Sequence, residues 1–379
     1  MRQTKVEAPF VANNNVRFKN LFINGDMRIF QRATSATTST STYDTVDRFL
    51  LYESSDGAMT SEKEDLSVAD QATTGQRTAL EMNVTTADGT IAANQFAAIY
   101  HRIEAQNLQH LLYGTSAAKN LTLSFYVKSN KTGTYCISFN KNDSTEYFIP
   151  IEYTISSANT WEKKVIVLSP TAGSTSVITA SGGAIADDNG VGLQITFGLA
   201  WGSNYHGTNN TWTTSSHLAT SNQVNWLDST SNNFYLTGVH LEVGDQATDF
   251  EHLPFDIKLQ RCQRYCLNLI GGDYSYIAQG NFYTATYFHF TYQFPVEMRA
   301  TPTADSTDSS GTFRVYSNGG YDLIDEVNLV HGSTRQATLR NNTDLASGGH
   351  SVQSANVVGH GGGLYNPDAA TILRLTAEL

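Results

Sequence analysis

Hydrophobic and polar positions alternate along most of this chain. In "LTLSFYVKS", Leu121, Leu123, Phe125 and Val127 share one phase, and Thr122, Ser124 and Lys128 fall in the other. "GTYCISFN" repeats the pattern with Tyr135, Ile137 and Phe139. "VGLQITFGLAW" does so with Val191, Leu193, Ile195, Phe197 and Leu199, and "YLTGVHLEV" with Val239, Leu241 and Val243. Period two is the mark of a strand with one face on a core, and polar turns between such segments predict an antiparallel sandwich. "FING" adds Asn-Gly, a tight-turn dipeptide. Roughly eight to ten segments of this kind predict a jelly roll over residues 21–252.

The alternation breaks once. In "FDIKLQRCQRYCLNLI", Leu259, Cys262, Cys266, Leu269 and Ile270 recur at helical spacing, with Pro254 before the run, Asp256 at its start and "GGD" after it. This predicts a helical connector over 253–270. Beyond it, "YTATYFHFTYQFP" sets Tyr287, His289, Thr291 and Gln293 against Phe288, Phe290, Tyr292 and Phe294, and "TFRVYS" and "TILRLTAEL" read as further strands. The fold class predicted is all-β: an N-terminal arm over 1–20, the jelly-roll sandwich, the short helix, and a smaller β domain over 271–379.

Composition agrees with strands and polar turns. Of 379 residues, 40% are hydrophobic and only 16% charged, with 19 Tyr and 18 Phe. A net charge of −11 argues against nucleic acid as partner, since a phosphate binder needs a basic face. No apolar run reaches membrane-spanning length, and the start has no signal-peptide apolar core, so no membrane insertion is expected. Three cysteines cannot complete a disulfide framework, which fits folding in a reducing cytosol. The arm carries Arg2, Lys5, Arg17 and Lys19 against Glu7 alone, and reads as a mildly basic docking segment or a frayed terminus.

Candidate chemistry is sparse. Cys262 and Cys266 supply at most half of a zinc site, and their spacing is one residue too long for a redox pair, so packing is the favoured reading. Asp245, Asp249 and Glu251 precede the helix, where acids suit its N-terminus. No phosphate loop, zincin helix or nucleophile elbow is present, and no catalytic residue or cofactor is expected. The segment 201–226 is richer. Trp201, Tyr205, His206 and Trp212 stand among Asn, Ser and Thr, the mixture that stacks on sugar faces and satisfies sugar hydroxyls; the competing reading is that these rings cap the sandwich. Tyr321, His360 and Tyr365 carry the same ambiguity.

Three stretches also carry a likeness: "NLFINGDMRIFQRATS" with "YDTVDRF", then "YHRIEAQNLQHLLYGTSAAKNLTLSFYVKS", and then "FYLTGVHLEVGDQATDFEHLPFDIKLQRCQRY". With "FPVEMRATPT" and the terminal "LTAEL", they resemble tail-fibre and related virion appendage proteins of tailed bacteriophages. The resemblance implies a carbohydrate-binding-like jelly roll joined by a helix to a small C-terminal β domain, in a homotrimer made in the bacterial cytoplasm and working on the virion. It implies attachment to host-surface glycan, with the arm docking on another virion protein. It places Cys262 in the framework, Cys266 where an aromatic is common, and Trp212 and Trp226 in the architecture, leaving Trp201 and Tyr205 as the better ligand candidates. Jelly rolls of this type can hold calcium near their first and last strands, where Asp26 and Glu242 stand. The chain departs from long fibres in having a short arm in place of a shaft. A head or collar decoration protein without a receptor, or a polysaccharide depolymerase, are the alternatives.

Overall fold

The computed structural model describes residues 19–38, 43–270, 276–284, 286–306, 313–317, 320–324, 326–341, 361–366 and 372–379. They divide into two compact units, one drawn from residues 19–28, 35–38 and 49–253, the other from 29–34, 43–48 and the described residues of 254–379. Residues 29–34 and 43–48 thus belong to the second unit and not to the sandwich in which the sequence reading placed them.

The first unit has strands β1 (Ser35–Thr38), β2 (Leu50–Ser54), β3 (Ala58–Asp65), β4 (Thr78–Thr86), β5 (Phe96–Glu104) and β6 (Leu121–Ser129). They are followed by β7 (Gly133–Lys141), β8 (Tyr147–Ile155), β9 (Glu162–Leu168), β10 (Val191–Trp201) and β11 (Asn233–Val243), and a short helix, α1 (Val68–Thr74), joins β3 to β4. Two antiparallel sheets result, ordered β1-β3-β4-β11-β6-β9 and β2-β5-β10-β7-β8. From β4 onward the chain changes sheet at nearly every connection, the jelly-roll habit. The alternation seen in the sequence supplies the core. Phe125 of β6 meets Phe197 of β10 and Tyr153 of β8, each with ring centroids 5.3 Å apart, and Tyr135 of β7 meets Phe234 of β11 at 5.9 Å. Each ring so buried stabilises the fold by roughly 1.5–3 kcal/mol.

The start of the described chain is held tightly. Asn20 Nδ2 donates to the Val239 carbonyl at 2.9 Å, while its Oδ1 accepts from the Phe22 and Leu241 amides at 3.0 Å. The Glu251 carboxylate accepts from the backbone N–H groups of Lys19 at 3.1 Å and Asn20 at 2.9 Å. That is the job of Glu251, in place of the helix-end role expected of it. At the Asn-Gly turn, Asn24 takes φ 63° and Gly25 passes so close to β11 that a Cβ would lie 2.0 Å from the Val239 oxygen. Only glycine fits there.

The second unit contains helix α2 (Phe255–Gln263) and strands β12 (Cys266–Asn268), β13 (Tyr276–Phe282), β14 (Phe288–Gln293), β15 (Thr303–Ser306) and β16 (Phe313–Ser317). Strands β17 (Gly320–Ile324), β18 (Val327–Gly332), β19 (Gln336–Asn341), β20 (Gly361–Tyr365) and β21 (Leu373–Thr376) complete it. The sheets run β12-β21-β15 and β17-β16-β20-β13-β14-β19-β18. Phe282, Phe288, Phe290, Phe313, Val315, Leu339 and Leu364 form its core.

The helix is shorter than the expected 253–270. It stops at Gln263, and Cys266 already lies in β12, opposite Thr376 of β21. Cys266, Leu267 and Leu269 are all buried, and the Leu269 amide donates to the Leu373 carbonyl at 3.0 Å, so positions read as a continuing helix instead belong to a segment paired with β21.

A buried ionic cluster lies beside Tyr265 and Cys266, wholly within the second unit. Arg48 is fully buried, with its guanidinium 3.5 Å from the centroid of the Tyr265 ring and paired with Glu378. Arg32 pairs with Glu378 at 2.9 Å and lies 3.7 Å from Asp47. Arg299 Nε donates to the Ala377 carbonyl at 2.7 Å. Burial pushes the Asp47 carboxyl up to about 6, against the opposing attraction of Arg32. The stretches "FQRA", "VDRF", "QRCQRY" and "LTAEL", far apart in sequence, therefore meet in one place, and their arginines and acids work as packing and pairing groups.

Candidate functional site

The expected aromatic group of the first unit does assemble, but as a closed one. Trp201 is 6% exposed, stacked on Phe96 at 5.2 Å and met edge-on by Tyr205 at 4.9 Å. Tyr205 is half-buried and its hydroxyl donates to the Asn94 carbonyl at 3.3 Å; His206 Nε2 lies 3.1 Å from the Trp201 carbonyl oxygen. Trp212 is 3% exposed and donates to the Ser169 carbonyl at 2.9 Å, and Trp226 is fully buried. Stacking a sugar needs an open ring face. Trp201 and Trp212 have none to offer, which corrects their nomination. The cause is the segment 202–226, which returns across the outer face of β7, β8 and β10. There Thr220 bonds Glu152 and Cys136, the Asn210 amide donates to the Pro150 carbonyl, and Phe148 bridges Thr213.

Beneath this cover lies a polar seam. Ser138 of β7 and Thr196 of β10 are directly opposite one another and 1% exposed, and neither hydroxyl has a hydrogen-bond partner within the described protein. The same holds for Asn140 Oδ1, Trp201 Nε1 and both amide atoms of Gln223. Buried polar atoms in such a setting are ordinarily bridged by water.

The second unit offers an open face. Tyr276 of β13, Tyr365 of β20, Tyr316 of β16 and Tyr321 of β17 lie on four adjacent strands. Their ring centroids follow one another at 5.1, 4.9 and 5.3 Å. Tyr276 is 50% exposed, Tyr316 39% and Tyr321 42%, and the Arg314 guanidinium sits 4.8 Å from the Tyr321 centroid. The row depends on a glycine strand. β20 reads Gly361-Gly362-Gly363-Leu364-Tyr365, and a Cβ at Gly363 would stand 2.8 Å from Tyr276 Cε2 and 3.0 Å from Tyr365 Cε2. Strand register carries the face onward through Gln279 and Asn281 of β13 to His289 and Thr291 of β14 and to Arg340 and Thr338 of β19. Tyr283 stacks on His289 at 4.7 Å, and Arg340 covers Tyr287 at 4.6 Å. Burial lowers the affinity of His289 for a proton, and Arg340 lowers it further, so the imidazole is neutral near pH 7.

Of the residues nominated from sequence, the structure brings Tyr321 and Tyr365 together on this face. Tyr276 and Tyr316 were missed. The signal was present: Phe313 and Val315 face inward, which puts Arg314 and Tyr316 outward. Arg2, Lys5, Arg17 and His360 lie outside the described residues, and Lys19 is described through its backbone bond to Glu251.

The acidic pair and the thiols sit in different settings. Both oxygens of Glu242 accept from Thr248, and the Asp26 carbonyl accepts from Thr78 Oγ1 at 2.9 Å. Among the described residues no group of three or more His, Cys, Asp or Glu is placed to hold a metal. Cys136, Cys262 and Cys266 form no disulfide and are buried. Burial pushes the Cys136 thiol up to about 11, that of Cys266 up to about 12 and that of Cys262 well above its usual range. Burial thus keeps these thiols protonated near neutral pH, and they pack as small apolar groups.

No family model matches the chain, and no curated protein matches it. Solved structures with some likeness include a putative sugar binding protein from Bacteroides thetaiotaomicron, at 14% identity and a TM-score of 0.31, covering 59% of this chain and 100% of that one. Another is the enzymatically active domain of a tailspike protein of bacteriophage CBA120, at 12% identity and a TM-score of 0.27, covering 60% of this chain and 22% of that one. A third is a family 11 carbohydrate-binding module from Clostridium thermocellum, at 12% identity and 0.28, covering 56% of this chain and 97% of that one. Likeness at this level carries no argument about what this chain binds. The site stands on its own geometry.

Proposed function

We propose that the chain is a non-catalytic appendage protein of a tailed-bacteriophage particle that attaches to host-surface glycan through the tyrosine row of its second unit. One observation carries the reading: four neighbouring tyrosines on adjacent strands, three of them well exposed, continued by amides, hydroxyls and a neutral histidine. Sugar rings stack their apolar C–H faces on such aromatics, and the flanking polar groups bond their hydroxyls. The described strand positions of that face hold no Asp or Glu, which favours holding a glycan over cleaving one. The stretches that resemble virion appendage proteins support the phage setting. In this reading the protein is a homotrimer, and Arg2, Lys5, Arg17 and Lys19 belong to an arm that docks on another virion protein. Three weak sites on one particle multiply the effective affinity without any new contact.

The test is an array of bacterial capsule and lipopolysaccharide glycans probed with the full chain, paired with adsorption competition on cells. Saturable binding that is lost in Tyr316→Ala/Tyr365→Ala supports the reading. Released oligosaccharide would replace it with a depolymerase, and failure both to bind and to compete would leave a decoration protein.

A further inference from the structure

The first unit holds a cavity of about 410 Å3 lined by three cations, Arg28, Lys63 and Arg77, and one carboxylate, Asp65. The chain as a whole has 35 acidic residues to 24 Lys and Arg, so this is a local reversal of its charge. It arises where β3 ends, α1 intervenes and β4 begins. Lys63 and Asp65 stand opposite Leu80 and Thr78 in the β3–β4 register, at the rim of the sandwich. The backbones that carry the cations are pinned. The Leu66 amide donates to the Arg77 carbonyl at 2.9 Å, Gln71 Nε2 donates to the Leu66 carbonyl at 2.7 Å, and the Arg28 amide donates to Asn24 Oδ1 at 2.9 Å.

The Lys63 ammonium meets both oxygens of Asp65, at 2.8 and 3.0 Å, while the Asp65 side chain is 75% exposed. An ion pair whose carboxylate is this exposed is weak, so Asp65 can swing out, and it occupies the place an incoming anion would take. With Asp65 swung away, three cations line the concavity, which then concentrates field and counter-ion, and guanidinium groups grip carboxylate, sulfate or phosphate oxygens in pairs. The volume is in the range of small-ligand sites.

From this geometry we infer that the cavity binds the anionic group of an acidic saccharide, with Lys63 and Arg77 as ligands and Asp65 as the internal competitor it displaces. The saccharide part rests on the glycan reading above; the anion part does not. The site is separate from the tyrosine row and gives the protein a preference for acidic over neutral surface polysaccharide.

Titration calorimetry on the full chain tests it with oligogalacturonate, a neutral maltooligosaccharide, inorganic sulfate and inorganic phosphate as probes. Oligogalacturonate binding should weaken about tenfold in Arg77→Gln and in Lys63→Gln, the loss of one charge-assisted contact each. It should strengthen in Asp65→Asn, and weaken as salt rises from about 0.05 to about 0.5 M. Tyr316→Ala/Tyr365→Ala should lower maltooligosaccharide binding and leave the effects of Arg77→Gln and Asp65→Asn on oligogalacturonate intact, so the two sites fail separately. Equal binding by wild type, Arg77→Gln and Lys63→Gln, or weaker binding by Asp65→Asn with its melting temperature unchanged, overturns the site. Binding of sulfate or phosphate without oligogalacturonate overturns the saccharide assignment.

Discussion

The two units use aromatic residues in opposite ways. In the first, Trp201, Phe96 and Tyr205 are drawn together under cover and their rings pack on one another. In the second, Tyr276, Tyr365, Tyr316 and Tyr321 stand side by side and keep open area. Composition does not separate the two cases. What separates them is the backbone beside the rings: the segment 202–226 turns back over its own sheet, whereas β20 strips itself to glycine and lets tyrosines lie across it. An aromatic cluster becomes a candidate site only when nothing from its own chain claims its faces.

The largest effects should therefore be on stability in the first case and on binding in the second. Trp201→Ala should destabilise the sandwich by about 3–5 kcal/mol, as deletion of a buried large ring does, and this is read by denaturant unfolding. In the second unit a comparable loss should come from a charge. Arg48→Ala removes the fully buried partner of Glu378 and leaves that carboxylate to Arg32 alone, and should cost about 3–5 kcal/mol, seen as faster amide exchange confined to that unit. A mild phenotype for Trp201→Ala would break the comparison at its root.

The pH dependence sharpens it further. The Asp47 carboxyl titrates higher in the folded protein, at about 6, than its ordinary value of 3.8. The native state then binds the proton more tightly than the unfolded one, so stability falls as pH rises from about 4 to about 6, by an amount on the order of 2–3 kcal/mol. Asp47→Asn should flatten that slope in the second unit and leave the first unchanged. A slope unaffected by the substitution would mean that the carboxyl is already ionised across this range.

Smaller effects belong to the tyrosine row. Tyr316→Ala should lower glycan affinity by about 1 kcal/mol while moving stability by less than about 0.5 kcal/mol, since its ring is partly exposed. Gly363→Ala should act least on stability, because the rings its Cβ meets can give way, yet it should disturb binding by spreading Tyr276 from Tyr365. Equal losses of stability and binding in both variants would make the row a packing feature.

Much of the β architecture was legible because the apolar alternation in β6, β7 and β10 is regular, while β11 changes phase at the bulge by Gly238, with Phe234 and Leu236 buried before it and Val239 and Leu241 after it. The helix end was not, since Cys266, Leu269 and Ile270 suit either period and only pairing with β21 decides between them. The cluster of Arg32, Asp47, Arg48 and Glu378 was visible as signature stretches but not as one place, because charge pairing across more than three hundred residues leaves no local mark. The site was half legible. Tyr321 and Tyr365 could be named from composition, whereas openness depends on where a distant loop lies, which is why Trp201 and Trp212 were chosen as well.

The most direct measurement is a calorimetric comparison of wild type, Tyr316→Ala/Tyr365→Ala and Trp201→Ala on the glycan that binds best in the array. Attachment through the row gives lost binding in the tyrosine pair with its melting temperature intact, and retained affinity in whatever fraction of Trp201→Ala stays folded. Full affinity in the tyrosine pair, with loss in folded Trp201→Ala, would place the ligand in the first unit and contradict the proposal.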